Sequence, residues 1–263
     1  MIEDITPLII TYNEAPNIAR TLDKLSWARR IVVIDSGSTD ATIEIVHRFP
    51  QAEVLYRAFD NFANQCKFGL TQIRTPWVLS LDADYELSDS LVAELSTLEG
   101  DAAISGYRVR FVYCVYGRPL RGSLYPPRTV LYRTDRGHYR NEGHGHRIQV
   151  SGTVRPLAGV IFHDDRKSFS RWLASQQRYA KQEADYLLGS SPGELRAADR
   201  MRLVVWAAPI AVPIYTLVIK RCALDGWPGW FYMLQRVLAE ILIALEILDR
   251  RLRSRLGAQT TFE

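Results

Sequence analysis

The first hundred residues repeat one unit four times: an apolar run of strand length, a polar turn, then a segment of helical periodicity. Residues 5–11, 31–35, 53–57 and 77–82 read as strands, and 15–25, 41–48, 62–73 and 88–98 as the helices between and after them. Strands with no polar face are covered on both sides, which demands a parallel sheet packed between helices. Ligands bind such sheets at the carboxyl ends of the strands. Thr11, Asp35 and Asp82 stand at those ends.

After residue 100 the pattern changes. Residues 104–116 alternate, with Tyr107, Val109, Phe111, Tyr113 and Val115 on one face and Arg108 and Arg110 on the other, as a half-buried strand does. Shorter strands are expected at 129–132, 148–150 and 159–162, and a helix at 169–188 that stops at the Gly189-Ser190-Ser191-Pro192-Gly193 stretch. The expected organisation is therefore a domain over 1–188, with halves 1–100 and 101–188, followed by a helical region over 194–263.

That last region differs in chemistry. Residues 166–263 hold 15 basic against 9 acidic side chains, while residues 1–165 hold 18 against 20. A local cationic excess suits an anionic partner, nucleic acid or lipid headgroups. The apolar runs favour lipid and speak against nucleic acid. Residues 203–219 are uncharged and mostly apolar, but Pro209 and Pro213 interrupt them, and 17 residues at helical rise reach only about 26 Å, short of a bilayer core. An interfacial or re-entrant segment fits better than a span. Residues 230–252 follow as an amphipathic helix with Leu234, Val237, Leu238, Ile241, Leu245, Leu248 and Leu252 on one face. Trp206, Trp227 and Trp230 lie in the same region, as at a membrane interface. Periodicity alone does not separate this reading from helices that pack on the first domain or join a homo-oligomer. The amino terminus has no basic start followed by an apolar stretch, so no signal peptide is expected, and the catalytic part is placed on the cytoplasmic side. Three scattered cysteines, Cys66, Cys114 and Cys222, read as small buried residues in a reducing compartment.

Two strand ends carry chemistry. Leu81-Asp82-Ala83-Asp84 closes an apolar strand with two carboxylates one residue apart, and strand alternation would send both toward one hard divalent cation, Mg²⁺ or Mn²⁺. The second is Asp35-Ser36-Gly37-Ser38-Thr39-Asp40. Asp35 can accept from a base N–H or ribose hydroxyls, and Asp40 reads as the N-cap of the helix from residue 41. His163 ends another apolar strand, as a third metal ligand or a hydrogen-bonded structural histidine. His144 and His146 near Glu142 lack a third ligand at zinc spacing.

Thr11-Tyr12-Asn13-Glu14, Asp35 to Asp40, Asn64-Gln65-x-Lys67 and Leu81-Asp82-Ala83-Asp84, in this order, resemble the inverting glycosyltransferases of family 2, with the GT-A fold. The resemblance covers about residues 5–100. It implies an α/β GT-A nucleotide-diphospho-sugar transferase fold with a mostly parallel sheet, in which Thr11, Tyr12, Asn13 and Glu14 cradle the nucleotide. It implies that Asp35 binds the uracil or ribose, that Lys67 lies near the base, and that Asp82 and Asp84, with His163 as some relatives use it, hold the metal on the diphosphate of a UDP-sugar. Arg140-Asn141-Glu142-Gly143-His144 and Leu224-Asp225-Gly226-x-x-Gly229 resemble segments of the lipopolysaccharide-core β-glucosyltransferase subgroup. This makes Glu142 the expected catalytic base, with Asp164 and Asp165 as alternatives, because Asn141 stands where the subgroup has His. The expected partners are the UDP-sugar donor, a lipid-linked saccharide acceptor and the anionic cytoplasmic face of an inner membrane. A nucleotidyltransferase or a non-catalytic scaffold of the same fold are the competing readings.

Overall fold

The computed structural model describes all residues except 100, 123, 143, 144, 192 and 260–263, and side chains except those and 140–147 and 257–259. Every residue of β1 (Ile5–Thr11) and β2 (Ile31–Asp35) is buried. The two strands pair in parallel, with Thr11 opposite Asp35. After β1 comes α1 (Ile18–Asp23), and after β2 come α2 (Thr42–Val46), β3 (Ala52–Tyr56), α3 (Phe62–Thr71) and β4 (Trp77–Asp82). The chain then adds β5 (Tyr85–Leu87), α4 (Asp89–Thr97), β6 (Ile104–Val115), β7 (Arg118–Pro119), β8 (Arg128–Arg133), β9 (Gly137–Glu142), β10 (Gly145–Val150) and β11 (Thr153–His163).

Among the described residues the main sheet runs β3-β2-β1-β4-β8-β6-β11-β5, with β7 on β6, while β9 and β10 form a separate hairpin. β1 pairs in parallel with both β2 and β4, so strand order reverses there and opens a crevice beyond the carboxyl ends. The sheet has a core on each face. Ile9, Val33 and Leu79 pack with Ile18 and Leu22 of α1 and Leu91 of α4 on one side. Leu8, Val32 and Val78 pack with Ala63 and Cys66 of α3 on the other. The α/β reading of the sequence is borne out, including the half-buried β6 with Arg108 and Arg110 outward. Short strands such as β5, β7 and β9 carry no periodicity of their own and exist because a neighbouring edge accepts them. Asn61 and Ser88 cap α3 and α4 by accepting from Asn64 N and Leu91 N.

Residues grouped apart from this unit are Leu120–Ser123 and Ser168–Glu263. They contain α5 (Phe169–Gly189), α6 (Ala197–Leu203), α7 (Ala207–Ile214), a π turn over Tyr215–Ile219, a 3-10 turn over Cys222–Asp225 and α8 (Trp227–Gln259). α5, expected to close the first domain, groups with these helices, and Ala184 and Leu187 pack against Ile247 of α8 and Leu195. Pro209 sits in the first turn of α7, where a missing N–H costs nothing, whereas Pro213 lies inside it, and the π turn follows. Arg202, which adjoins the apolar run 203–219, is the hub of an ion-pair cluster with the buried Glu183 and Glu240. Its guanidinium donates to Glu183 at 3.0 Å and to Glu240 at 2.9 and 2.8 Å. Among the described residues no helix is long and apolar enough to cross a membrane.

Gly159 of β11 lies where α4 approaches the sheet: a Cβ there would meet the Leu91 Cα at 2.5 Å, and Glu94 accepts from its N–H at 2.8 Å. Gly159→Ala should therefore destabilise the protein by about 1–3 kcal/mol through overpacking, read as a lower urea midpoint at unchanged slope.

Candidate active site

Two loops at the crevice are knitted together by backbone N–H groups. Asn13, at φ 56°, turns its N–H to the Ser38 hydroxyl at 2.7 Å, and its Oδ1 accepts from Thr39 N at 2.7 Å and Asp40 N at 3.2 Å. Asparagine tolerates that left-handed backbone. Glu14 N donates to Thr42 Oγ1 at 2.7 Å. Asp35 Oδ2 accepts from Gly37 N at 2.8 Å and Ser38 N at 2.9 Å, and its Oδ1 accepts from the Ser38 hydroxyl. This carboxylate, only 4% exposed, thus first shapes its own turn. Asp40 accepts from Thr42 N at 3.0 Å, close to the expected cap, with α2 starting at Thr42. Tyr12 is 53% exposed at the crevice, while Thr11 Oγ1 beside it is buried with no partner among the described residues. On α3, Lys67 is exposed and Gln65 is buried, donating to Ser36 Oγ and Arg57 O at 2.8 Å each.

The second cluster forms where β4 ends. The strand stops at Asp82 and the chain turns through Ala83 and Asp84 before β5, so strand alternation does not extend across the pair as the sequence reading assumed. Tertiary contact does the work instead: β11 brings His163 to Asp84, with Nε2 3.2 Å from Oδ2. Burial opposes the Asp84 charge, but the His163 charge and hydrogen bond, aided by Lys167, hold its carboxyl at about 2. Burial likewise opposes a charged imidazole, and Asp84 and then Asp82 outweigh it and raise His163 above its ordinary value. His163 Nδ1 is buried without a partner among the described residues, and the ring lies among the edges of Tyr85, Tyr113 and Tyr125 at centroid distances of 5.2, 4.9 and 5.0 Å. The Arg128 guanidinium lies 4.4 Å from the Tyr125 ring centre, within electrostatic reach of Asp82.

Glu14 and Lys167 complete the group. Lys167 Nζ is 2.6 Å from Glu14 Oε1 and 3.4 Å from Asp165 Oδ2. Burial lifts the Glu14 carboxyl to about 7; Lys167 works against that rise and Asp84 adds to it. Asn17 bridges Glu14 and Asp165 through its amide, at 2.8 and 3.0 Å. Asp164, an alternative base in the sequence reading, is engaged by Arg20 at 3.0 Å, Arg166 at 2.8 Å and Gly117 N at 3.1 Å, which leaves it a structural acid. Asp165 is better placed, beside Lys167. The Glu142 side chain lies outside the described residues, as does His144; the backbone puts Glu142 at the end of β9, opposite Gly145 of β10. Asn17, Arg20, Arg128 and Lys167 escaped the sequence reading. Lys167 had a signal: it ends the acid-rich His163-Asp164-Asp165-Arg166 run after an apolar strand, the same signature that marks Asp82.

Among the described residues no group of three or more His, Cys, Asp or Glu side chains converges tightly enough to hold a metal ion alone. Asp84 with His163, beside Asp82, fits a hard cation that takes its remaining ligands from water and a diphosphate, the usual manner of Mg²⁺. The crevice thus offers the exposed Tyr12 ring beside the buried Thr11 hydroxyl on one side and a cluster of charged side chains on the other.

The fold and these strand-end motifs define a nucleotide-sugar-type transferase, and residues 7–155 match the family model for glycosyl transferase family 2. The chain belongs to that family. It is 28% identical over 244 residues to the lipopolysaccharide core biosynthesis glycosyltransferase LpsC of Rhizobium meliloti (strain 1021), covering 85% of each chain. It is 23% identical to an uncharacterized glycosyltransferase of Rickettsia prowazekii (strain Madrid E) over 95% of this chain and 88% of that one. A crystal structure of S. aureus TarS, residues 1-349, in complex with UDP-GlcNAc superposes with a TM-score of 0.49 at 14% identity, covering 96% of this chain and 92% of that one.

Glu14 provides a pH test. Its carboxyl loses its proton at about 7 when folded, against 4.5 ordinarily. Between those values the folded state binds the extra proton, so the stability it contributes below pH 4.5 is lost as pH rises through 7. Urea midpoints of Glu14→Gln should lack this part of the slope, and the difference from the parent should grow from pH 4.5 to 7 and stay flat above.

Proposed function

We propose that this family 2 glycosyltransferase moves a hexose from a UDP-sugar to a hydroxyl of a lipid-linked saccharide, with inversion at the anomeric carbon. The observation that carries the reading is the partly buried Asp84–His163 pair beside Asp82, where a central strand ends. Asp82, Asp84 and His163 would hold Mg²⁺ or Mn²⁺, which when bound supplies positive charge against the departing diphosphate. Arg128 adds a fixed cation on the same side, and such preorganised charge stabilises a transition state without reorganisation. Thr11, Tyr12, Asn13, Glu14, Asp35 and Lys67 line the nucleotide side. The unpartnered Thr11 hydroxyl has capacity for a ligand hydrogen bond, and Asp35 keeps Gly37 and Ser38 turned toward the crevice.

Glu142 takes the proton of the acceptor hydroxyl as its oxygen attacks. What supports this is its place in the hairpin after the sheet and the subgroup resemblance; Asp165 is the second reading, favoured by its position beside Lys167. The uridine nucleotide rests on the resemblance of the four motifs. A lipid-linked acceptor of the lipopolysaccharide-core kind, met at the cytoplasmic face of an inner membrane, is supported by the relative LpsC, whose name assigns it to core biosynthesis, and glucose is the hexose that the subgroup resemblance implies.

Asp84→Ala should abolish turnover and remove the Mn²⁺ dependence of UDP binding measured by calorimetry; unchanged metal-dependent affinity in that variant overturns the assignment, and a parent protein with no metal-dependent UDP binding is a scaffold. Release of pyrophosphate from a nucleoside triphosphate would instead mark a nucleotidyltransferase. Glu142→Gln keeps the shape but cannot take a proton, so turnover should fall by about 10²-fold or more with UDP affinity nearly intact. A dead Asp165→Asn beside an active Glu142→Gln moves the base to Asp165.

A further inference from the structure

The second unit presents an apolar surface that none of its described residues covers. Trp206, Ile210, Ile214 and Val218 recur every fourth residue through α7 and the π turn, all exposed, with Trp206 at 66%. On α8 the inward side holds Met233, Ala244 and Ile247, while a second apolar stripe from Ile241 to Leu256 faces out at three- and four-residue steps. Trp227 and Trp230, each about half exposed, begin that helix. The face read from the sequence as amphipathic is thus the outer face, and it does not serve the unit's own core.

The charges on this surface are sorted by sign. Between residues 204 and 256 every carboxylate is already paired inside the unit. Asp225 meets Arg121 at 3.1 Å, Glu240 meets Arg202 at 2.8 Å, Asp249 meets Arg253 at 2.8 Å, and Glu246 lies 3.8 Å from Arg250. Lys220, Arg221, Arg251 and Arg255 have no carboxylate partner among the described residues, and Lys220 rests over the Tyr215 ring. The charge left to face a partner is therefore cationic. Against a second copy of the same surface these cations would meet cations, with no free carboxylate to answer them. An anionic lipid surface answers both features at once, since it solvates the apolar stripe and neutralises the cations.

We propose that α7, the turns after it and the outer face of α8 lie in the plane of an anionic bilayer, with the tryptophans at headgroup level. Among the described residues no helix is long and apolar enough to span, so the proposed mode is in-plane. The inference deepens the proposed lipid-linked acceptor and rests on that reading for its purpose, while its evidence is the surface alone.

The test is flotation of the full chain with vesicles of phosphatidylethanolamine and phosphatidylglycerol at low salt, beside vesicles of phosphatidylcholine alone. The protein should float with the anionic vesicles, and K220Q/R221Q/R251Q/R255Q should cut partitioning at least tenfold. W206S/I210S, altered only at exposed positions, should weaken it with unchanged circular dichroism. Failure to float with anionic vesicles at low salt overturns the proposal, and a dimer in sedimentation equilibrium that does not bind vesicles assigns the surface to a second copy. UDP calorimetry on the same samples separates the two readings: UDP binding without flotation defeats the docking alone, and flotation without UDP binding defeats the transferase reading alone.

Discussion

The parallel pairing of β1 with β2 on one side and β4 on the other is the constraint on which the rest of the first unit depends. Because all three strands run the same way, their last residues, Thr11, Asp35 and Asp82, arrive at one edge, and the reversal of strand order opens the space between them. The loops that follow are then short enough to bond to each other, as Asn13 does to the turn 38–40. A shift of one residue in the register would exchange the two faces of a strand buried on both and would take these ends out of line.

That arrangement concentrates negative charge. Glu14, Asp82, Asp84, Asp164 and Asp165 gather within one region, and the protein offsets them with Arg20, Arg166, Lys167 and His163 rather than with solvent. The division of labour follows from the partners. Asp164, gripped by two guanidinium groups, ties the strand end of β11 to α1, whereas Asp84, held by a single imidazole, keeps an environment that a cation can share. Glu14 lies between these cases, ion-paired yet buried enough to keep its proton near neutrality.

The second unit solves a different problem, helices that are apolar on more than one side. α8 spends its inner face on α5 and α7 and anchors a buried Glu240 through Arg202, an interaction whose loss would leave a carboxylate stranded in the interior. Its outer apolar stripe then remains, which in a water-facing helix would be polar.

The amino-acid sequence by itself determined the elements whose apolar period is strong and local. β1, β2 and β4 lie where the runs place them, and the motifs that mark the family sit at their ends. Helix ends were less legible, since α1 begins only at Ile18, after the chain has bonded Asn17 across to Asp165. Contacts between residues far apart in the chain were beyond it. His163 reaches Asp84 across 79 residues, a meeting that only the family resemblance led one to expect, and Arg20 reaches Asp164 across 144, which no local pattern encodes. Tertiary structure alone decided that two guanidinium groups grip Asp164, that Arg202 joins the buried Glu183 and Glu240, and that the apolar stripe of α8 faces outward. Periodicity reports that a face is apolar but not what covers it, because burial is a property of the neighbours a segment acquires only when the whole chain has folded.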